Sequence, residues 1–249
     1  MKITILIPAR LASTRLPEKM LADLHGKPLI IRTYEQAKKS KLATDVIIVT
    51  DDKKIIAAAE AHGCKAVMTP IGLKTGTDRI AFASQKLNSD VFVNLQGDEP
   101  LIKPKMIDQA IEPILADRKV QCSTLVRPLD RLDDELIKNP SVVKVALAHS
   151  GDALYFSRSP IPYLRNTDAP VKYYKHIGIY AFRRAVLQSF SKLPHSALEA
   201  AESLEQLRLL ESGISIRCAF TKLDSQAVDT AEDLELVRKL MRPMRTAAV

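Results

Sequence analysis

The chain has 249 residues, 46% of them apolar and 27% charged, with no tryptophan. That length allows one large α/β unit with an aliphatic core, and no run reaches the ~18 apolar residues a membrane span requires. A formal charge of +8 suits an anionic partner, but the cations are spread along the chain and not interleaved with aromatic rings, so nucleic-acid binding is not expected.

Residues 2–7 predict a strand that stops at Pro8. Residues 28–39 predict a helix with proline in its first turn and Leu29, Ile30, Tyr34 and Ala37 on one face. The β-branched run 45–50 suits a strand covered on both sides. A helix over 54–61 closed by Gly63, a short strand over 65–68 and a helix over 78–86 capped by Thr77 or Asp78 follow. Residues 90–95 predict a second buried strand, and 104–117 a helix that Pro113 bends or shortens. This alternation predicts an α/β fold with a mostly parallel, doubly wound sheet. In the second half, strands are expected over 121–126, 142–147, 153–156, 175–182 and 214–220. Helices are expected over 198–211 and 230–240, the latter with Thr230 and Asp233 in a capping box. One continuous domain over 1–249, with a lid-like or dimerising insert near 127–200 and a frayed tail over 241–249, is the simplest architecture. Cys64, Cys122 and Cys218 form no C-x-x-C pair, and Met1-Lys2 leads straight into a strand, so a reducing, cytoplasmic setting without a leader is expected.

Residues 10–19 bring together Arg10, Arg15 and Lys19 with the hydroxyls of Ser13 and Thr14. A basic loop between the first strand and first helix of an α/β sheet is where a phosphate chain is expected, although the same residues suit a solvated surface loop. Neither G-x-G-x-x-G nor G-x-x-x-x-G-K-[ST] occurs, which excludes the dinucleotide fingerprint and the P-loop. Asn94-Leu95-Gln96-Gly97-Asp98-Glu99-Pro100 follows a buried strand, so Asp98 stands at the carboxyl end where open sheets bind ligands. Gly97 would let backbone approach such a ligand closely. Mg2+ takes one or two protein carboxylates besides phosphate and water. The candidate second carboxylate is Asp229, whose surroundings equally read as the start of a capped helix. Lys74-Thr75-Gly76-Thr77-Asp78-Arg79 offers amides to a phosphate or a ribose edge, or is simply a helix start. Arg158, with Ser157 and Ser159, and the pair His176 and Tyr180 lie near strand ends, where an arginine fork matches a carboxylate. His176 reads as a general base or as a structural histidine. Glu205 and Arg208 suit a helical ion pair.

In this order, I-P-A-R-x-x-S-T-R-L-P-x-K, G-K-P-x-I, G-T-D-R, N-x-Q-G-D-E-P, A-L-Y-F-S-R, H-I-G-I-Y, L-E-Q-L-R and V-D-T-x-E-D-L resemble the 3-deoxy-manno-octulosonate (Kdo) cytidylyltransferases over nearly the whole chain. The resemblance implies a Rossmann-like, glycosyltransferase-A-type fold, a homodimer, and condensation of CTP with Kdo to CMP-Kdo and pyrophosphate for lipopolysaccharide assembly. It implies Arg10, Ser13, Arg15 and Lys19 on the triphosphate, with Pro8, Ala9, Gly76, Thr77, Arg79 and Gln96 around the nucleotide. It further implies Gln96, Arg158, His176, Tyr180, Glu205 and Gln206 around the sugar, Mg2+ on Asp98 and Asp229, and Arg15, Lys19 and Asp98 as the catalytic set. Some members take an 8-amino analogue, and sialic acid is the neighbouring substrate class. Glu18 stands where the family usually has glycine; a carboxylate suits that place if it points away from the triphosphate or meets metal.

Overall fold

The computed structural model describes residues 1–13, 15–130 and 134–241. Thr14, and the tail expected beyond Met241, lie outside the described residues. Strand β1 (Ile3–Ala9) is buried throughout. It pairs in parallel with β2 (Asp45–Thr50) on one side and β4 (Val91–Asn94) on the other, and β3 (Ala66–Met68) extends the sheet beyond β2. Ile3, Ile5 and Ile7 pack into one core while Leu6 packs into the other. Alternate side chains therefore bury on opposite faces, which is why the run is apolar without alternation. Helices α1 (Leu29–Ala37) and α4 (Pro104–Ala116) cover the first face, and α3 (Gly76–Ser84) contributes Ile80 and Ala81 to the second. Helix α2 (Lys53–Ala61) starts on Asp52, whose side chain caps Lys54 N.

The sheet then departs from a parallel order. The eleven-residue β8 (Tyr173–Arg183) lies antiparallel between β4 and β5 (Cys122–Leu129), and β9 (Ile216–Phe220) pairs in parallel with β5. The order is β3-β2-β1-β4-β8-β5-β9. Between them in sequence come α5 (Asp134–Lys138) and the hairpin of β6 (Lys144–Leu147) with β7 (Ala153–Ser157), which joins β8 at Lys144 and Lys175. After β8 come α6 (Arg184–Phe190), α7 (Ala197–Glu202), α8 (Gln206–Glu211) and, after β9, α9 (Ala231–Met241).

Several local expectations are corrected. Helix α3 is capped by Thr75, not Thr77 or Asp78; Thr75 accepts from Asp78 N while Asp78 accepts from Thr75 N. Helix α4 contains Pro113 and ends at Ala116, one residue short of the expected end. The single helix expected over 198–211 is two, because Ser203 adopts a left-handed φ of 52° after α7. Helix α6 has no capping side chain and buries just Leu187 and Phe190, so it left no start signal in the sequence. Thr230 and Asp233 do form the reciprocal cap of α9.

Gly97 has a role other than ligand approach. A Cβ there would sit 2.9 Å from Ile30 Cδ1 and 3.1 Å from both Met20 Sδ and the Pro8 carbonyl oxygen. Its own carbonyl accepts from Thr33 Oγ1 at 2.8 Å. The glycine lets the end of β4 lie flush on β1 and α1. Gly97→Ala should therefore lower the unfolding free energy by about 1–3 kcal/mol, the usual scale of overpacking, with an unchanged m-value in urea; an unmoved midpoint would show that Ile30, Met20 and Pro8 yield without cost.

Candidate active site

The loop after β1 and the turn after β4 meet at the carboxyl end of the sheet. Lys19, in the 3-10 turn Lys19–Leu21, is 7% exposed. Its Nζ donates to Asp98 Oδ2 at 2.7 Å and to Asp229 Oδ1 at 3.1 Å. Arg15 Nη2 reaches the same Asp229 oxygen at 3.1 Å. Burial alone would pull the lysine down, but the two carboxylates outweigh it and hold its pKa above the ordinary value. Asp98 and Asp229, 131 positions apart in sequence, are pinned together by a 2.9 Å hydrogen bond from Val228 N to the Asp98 carbonyl. Asp233 takes the backbone N–H groups of Asp229 and Thr230 at 3.0 Å each, which leaves the Asp229 side chain free of capping duty.

Two carboxylates sharing one cation suit a hard metal ion. Among the described residues no cluster of three acidic, histidine or cysteine side chains is assembled; the pair matches the one or two carboxylates that Mg2+ takes beside phosphate. Glu18, in the left-handed conformation at φ 50°, turns away from this centre and pairs with Lys54 at 2.5 Å. Arg10 Nη2 donates to the Leu73 carbonyl at 3.0 Å, and Ser13 is half-buried beside it in sequence. Pro8 and Ala9 close the buried end of β1, and Gly76 faces the Pro8 ring. Arg79 does not reach the cleft. It is fully buried, donates to Asp51 at 2.7 Å and to Thr69, and so ties α3 to the ends of β2 and β3.

Beyond the carboxylates opens a cleft of about 520 Å³, lined by Thr77, Gln96, Arg158, His176, Tyr180, Glu205, Gln206 and Asp229. Asn94 Oδ1, Tyr180 OH and Gln206 Nε2, all on its walls, are buried without a hydrogen-bond partner. Each such orphan costs about 1–3 kcal/mol, which a polar ligand would recover. Glu205 is not paired with Arg208. Its Oε2 accepts from Thr77 N at 3.1 Å, while Arg208 forks onto Glu199 at 2.5 and 2.7 Å. The Arg158 guanidinium donates to the carbonyls of Glu202 (2.7 Å), Pro140 (3.0 Å) and Ser203 (3.4 Å), so it fixes the α7–α8 joint as well as facing the cleft.

A bulge in the β5–β8 ladder at Thr124/Leu125 brings His176 and Tyr180 onto one wall, with ring centroids 5.3 Å apart. Thr124 Oγ1 donates to the Ile179 carbonyl at 2.8 Å and meets His176 Nε2 at 3.0 Å, which assigns the ring proton to Nε2. Burial pushes the His176 pKa down to about 3 and the Tyr180 phenol well above its usual range. Both are neutral hydrogen-bonding groups near pH 7, and the general-base reading of His176 loses its support.

Sequence reasoning missed three supports. Buried Lys144 donates to the carbonyls of Asn139 (2.8 Å), Val142 (2.5 Å) and Arg158 (2.5 Å), and nothing but an odd cation in an alternating strand signalled it. Thr124 was hidden in a buried run. Glu99, bonded to Ser225 Oγ, is carried by burial and the Asp98 charge up to a pKa of about 7, against the pull of Ser225 and Lys175.

A mixed sheet of this order, with paired carboxylates and basic residues outside its β1 and β4 ends, defines a nucleotidyltransferase. The family described as Cytidylyltransferase matches residues 4–216. The chain is 59% identical over 218 residues to the 3-deoxy-manno-octulosonate cytidylyltransferase of Chloroherpeton thalassium, covering 88% of this chain and 89% of that one. It is 55% identical over 242 residues to the enzyme of the same name from Chlorobium limicola, covering 97% and 98%. It superposes on a CMP:2-keto-3-deoxy-manno-octonic acid synthetase solved with CTP at a TM-score of 0.91 and 44% identity, covering 97% and 98%. A Bacillus anthracis protein described as a putative glucose-1-phosphate thymidylyltransferase, 15% identical with a TM-score of 0.66, shares the fold. The chain belongs to the 3-deoxy-manno-octulosonate cytidylyltransferase family.

Two predictions come from these pKa shifts. The His176 ring carbons should show no titration by NMR between pH 5 and 8; a midpoint near 6.5 would refute the buried-wall account. For Glu99 the folded-state value of about 7 lies above the ordinary 4.5, so the native state binds more protons than the unfolded chain between those values. Its contribution is intact below 4.5 and is lost as pH rises through 7. In metal-free buffer, the stability of wild type relative to Glu99→Gln should fall across that window by at most about 3 kcal/mol; parallel curves would contradict the assignment.

Proposed function

We propose that this protein condenses CTP with Kdo, in the cytoplasm and as a homodimer, releasing pyrophosphate and supplying CMP-Kdo for lipopolysaccharide assembly. The observation that carries the reading is the Asp98–Lys19–Asp229 triad, whose Asp229 lines a cleft with unpartnered polar walls. The names of the relatives support the nucleotide and the sugar. Among the described residues no helix is long and apolar enough to cross a membrane.

The reaction is an in-line displacement: the anomeric hydroxyl of the sugar attacks the α-phosphate, and pyrophosphate leaves. Arg10, Ser13, Arg15 and Lys19 hold the triphosphate and offset its charge, with Pro8, Ala9, Gly76, Thr77 and Gln96 lining the nucleotide. Asp98 and Asp229 would hold Mg2+, which supplies further neutralisation of the phosphate oxygens and a lowered pKa for the attacking hydroxyl. On the other wall, the Tyr180 hydroxyl offers a neutral donor and His176, its one ring N–H donating to Thr124, a neutral acceptor, and Gln96, Glu205 and Gln206 read the sugar hydroxyls. Arg158, its backbone contacts notwithstanding, supplies the positive charge facing the sugar carboxylate. Glu18 does not oppose the nucleotide, because its carboxylate is spent on Lys54. The exposed Leu154 and Tyr163, both within residues 127–200, support a dimer contact in that insert.

Pyrophosphate release from CTP, Mg2+ and Kdo tests the reading, with 8-amino-Kdo and sialic acid as comparison substrates. Kdo should be the preferred acceptor, and Asp98→Asn should cut turnover at least ~100-fold, the scale of losing one transition-state charge contact. Turnover within a few-fold of wild type would remove Asp98 from the site.

A further inference from the structure

The charge of Lys19 is committed within the protein. Its ammonium touches Asp98 Oδ2 and Asp229 Oδ1, and 9% of its side chain is exposed. Arg15 differs: it also contacts Asp229, yet its side chain is 63% exposed and can leave without uncovering a buried charge. Taking Lys19 away would leave two carboxylates facing each other across one nitrogen's width, an arrangement like charges resist. The backbone bond from Val228 to Asp98 and the cap of α9 prevent the pair from simply separating.

We infer that Lys19 is a resident counter-ion that bars a divalent cation from the Asp98–Asp229 pair until a nucleotide triphosphate draws its ammonium away. This rests on the metal-binding reading of the two carboxylates proposed above. A dication entering alone would meet the lysine charge 2.7 Å from the very oxygen it needs. A triphosphate offers Lys19 substitute oxygens, and the vacated carboxylates then accept the cation. Metal and nucleotide thus bind with positive coupling, and linkage makes the effect reciprocal: each raises the affinity for the other by the same factor. The arrangement keeps the empty enzyme from loading any hard cation before its substrate arrives.

Mn2+ binding followed by electron paramagnetic resonance, without nucleotide, tests this. Lys19→Met should bind Mn2+ at least ~10-fold more tightly than wild type, Lys19→Arg should resemble wild type, and Lys19→Met with Asp98→Asn should lose the gain. Equal or weaker binding by Lys19→Met overturns the counter-ion role. Should Lys19→Met bind no tighter while Asp98→Asn weakens the Mn2+ binding of wild type, the metal reading stands and the counter-ion role falls. A gain that persists in the double variant removes Asp98 as a ligand, and the inference with it. Crystals of wild type soaked in Mn2+ without nucleotide give a check that needs no variant to fold: anomalous density between Asp98 and Asp229, with Lys19 still in place, refutes the proposal, and its absence there supports it.

Discussion

Strand β8 shares ladder hydrogen bonds with β4 on one edge and β5 on the other, and among the described residues no other strand joins the parallel half to the C-terminal half. Its position is what makes a cleft rather than an open edge. Asn94 lies opposite Tyr180, so the last residue of β4, two before Gln96, is set beside the wall that carries His176. The bulge at Thr124 then spaces His176 and Tyr180 for one cavity, and the Thr124 hydroxyl bonds to carbonyls of β8 within the irregular stretch.

A few cations in the molecule each hold several segments. Lys144 gathers three carbonyls, Arg158 another three, and Arg208 forks onto Glu199 while its guanidinium lies 4.4 Å from the centre of the Phe190 ring. Of these cations, Lys144 and Arg208 are spent on structure, whereas Arg158 also lines the cleft. Those around Asp98 and Asp229 are different in kind, since their partners are groups that a polyanion and a dication would exchange among themselves.

The first half of the fold was legible because β1, β2 and β4 are apolar runs rich in β-branched residues and α1 and α4 have periodic apolar faces. The second half was less so. Helix α6 has no cap, the break at Ser203 depends on a backbone angle that serine does not advertise, and the insertion of β8 between β4 and β5 is a matter of long-range pairing. The site shows the same divide. Asp98 and Asp229 could be named from their places beside strand and helix ends, but their meeting over Lys19 is tertiary. Arg79 sat in a suggestive motif and proved to be a buried tie, because Asp51 and Thr69 reach it first. Gly97 was read as room for a ligand, whereas Ile30, Met20 and Pro8 fill that room.

The packing at Gly97 divides the cleft into halves with different freedom to change. On its side, the residue next to Asp98 rests on the interior of the sheet, and any side chain there disturbs β1 and α1 together. The opposite wall joins β8, with His176 and Tyr180, to segments tethered by side chains around the α7–α8 joint and the β6–β7 hairpin, whose half-buried positions, unlike Leu207 or Phe156, can be replaced without opening the core. A lineage altering its acceptor sugar would therefore accumulate its substitutions on that second wall, while the nucleotide half stays nearly fixed by the demands of folding alone.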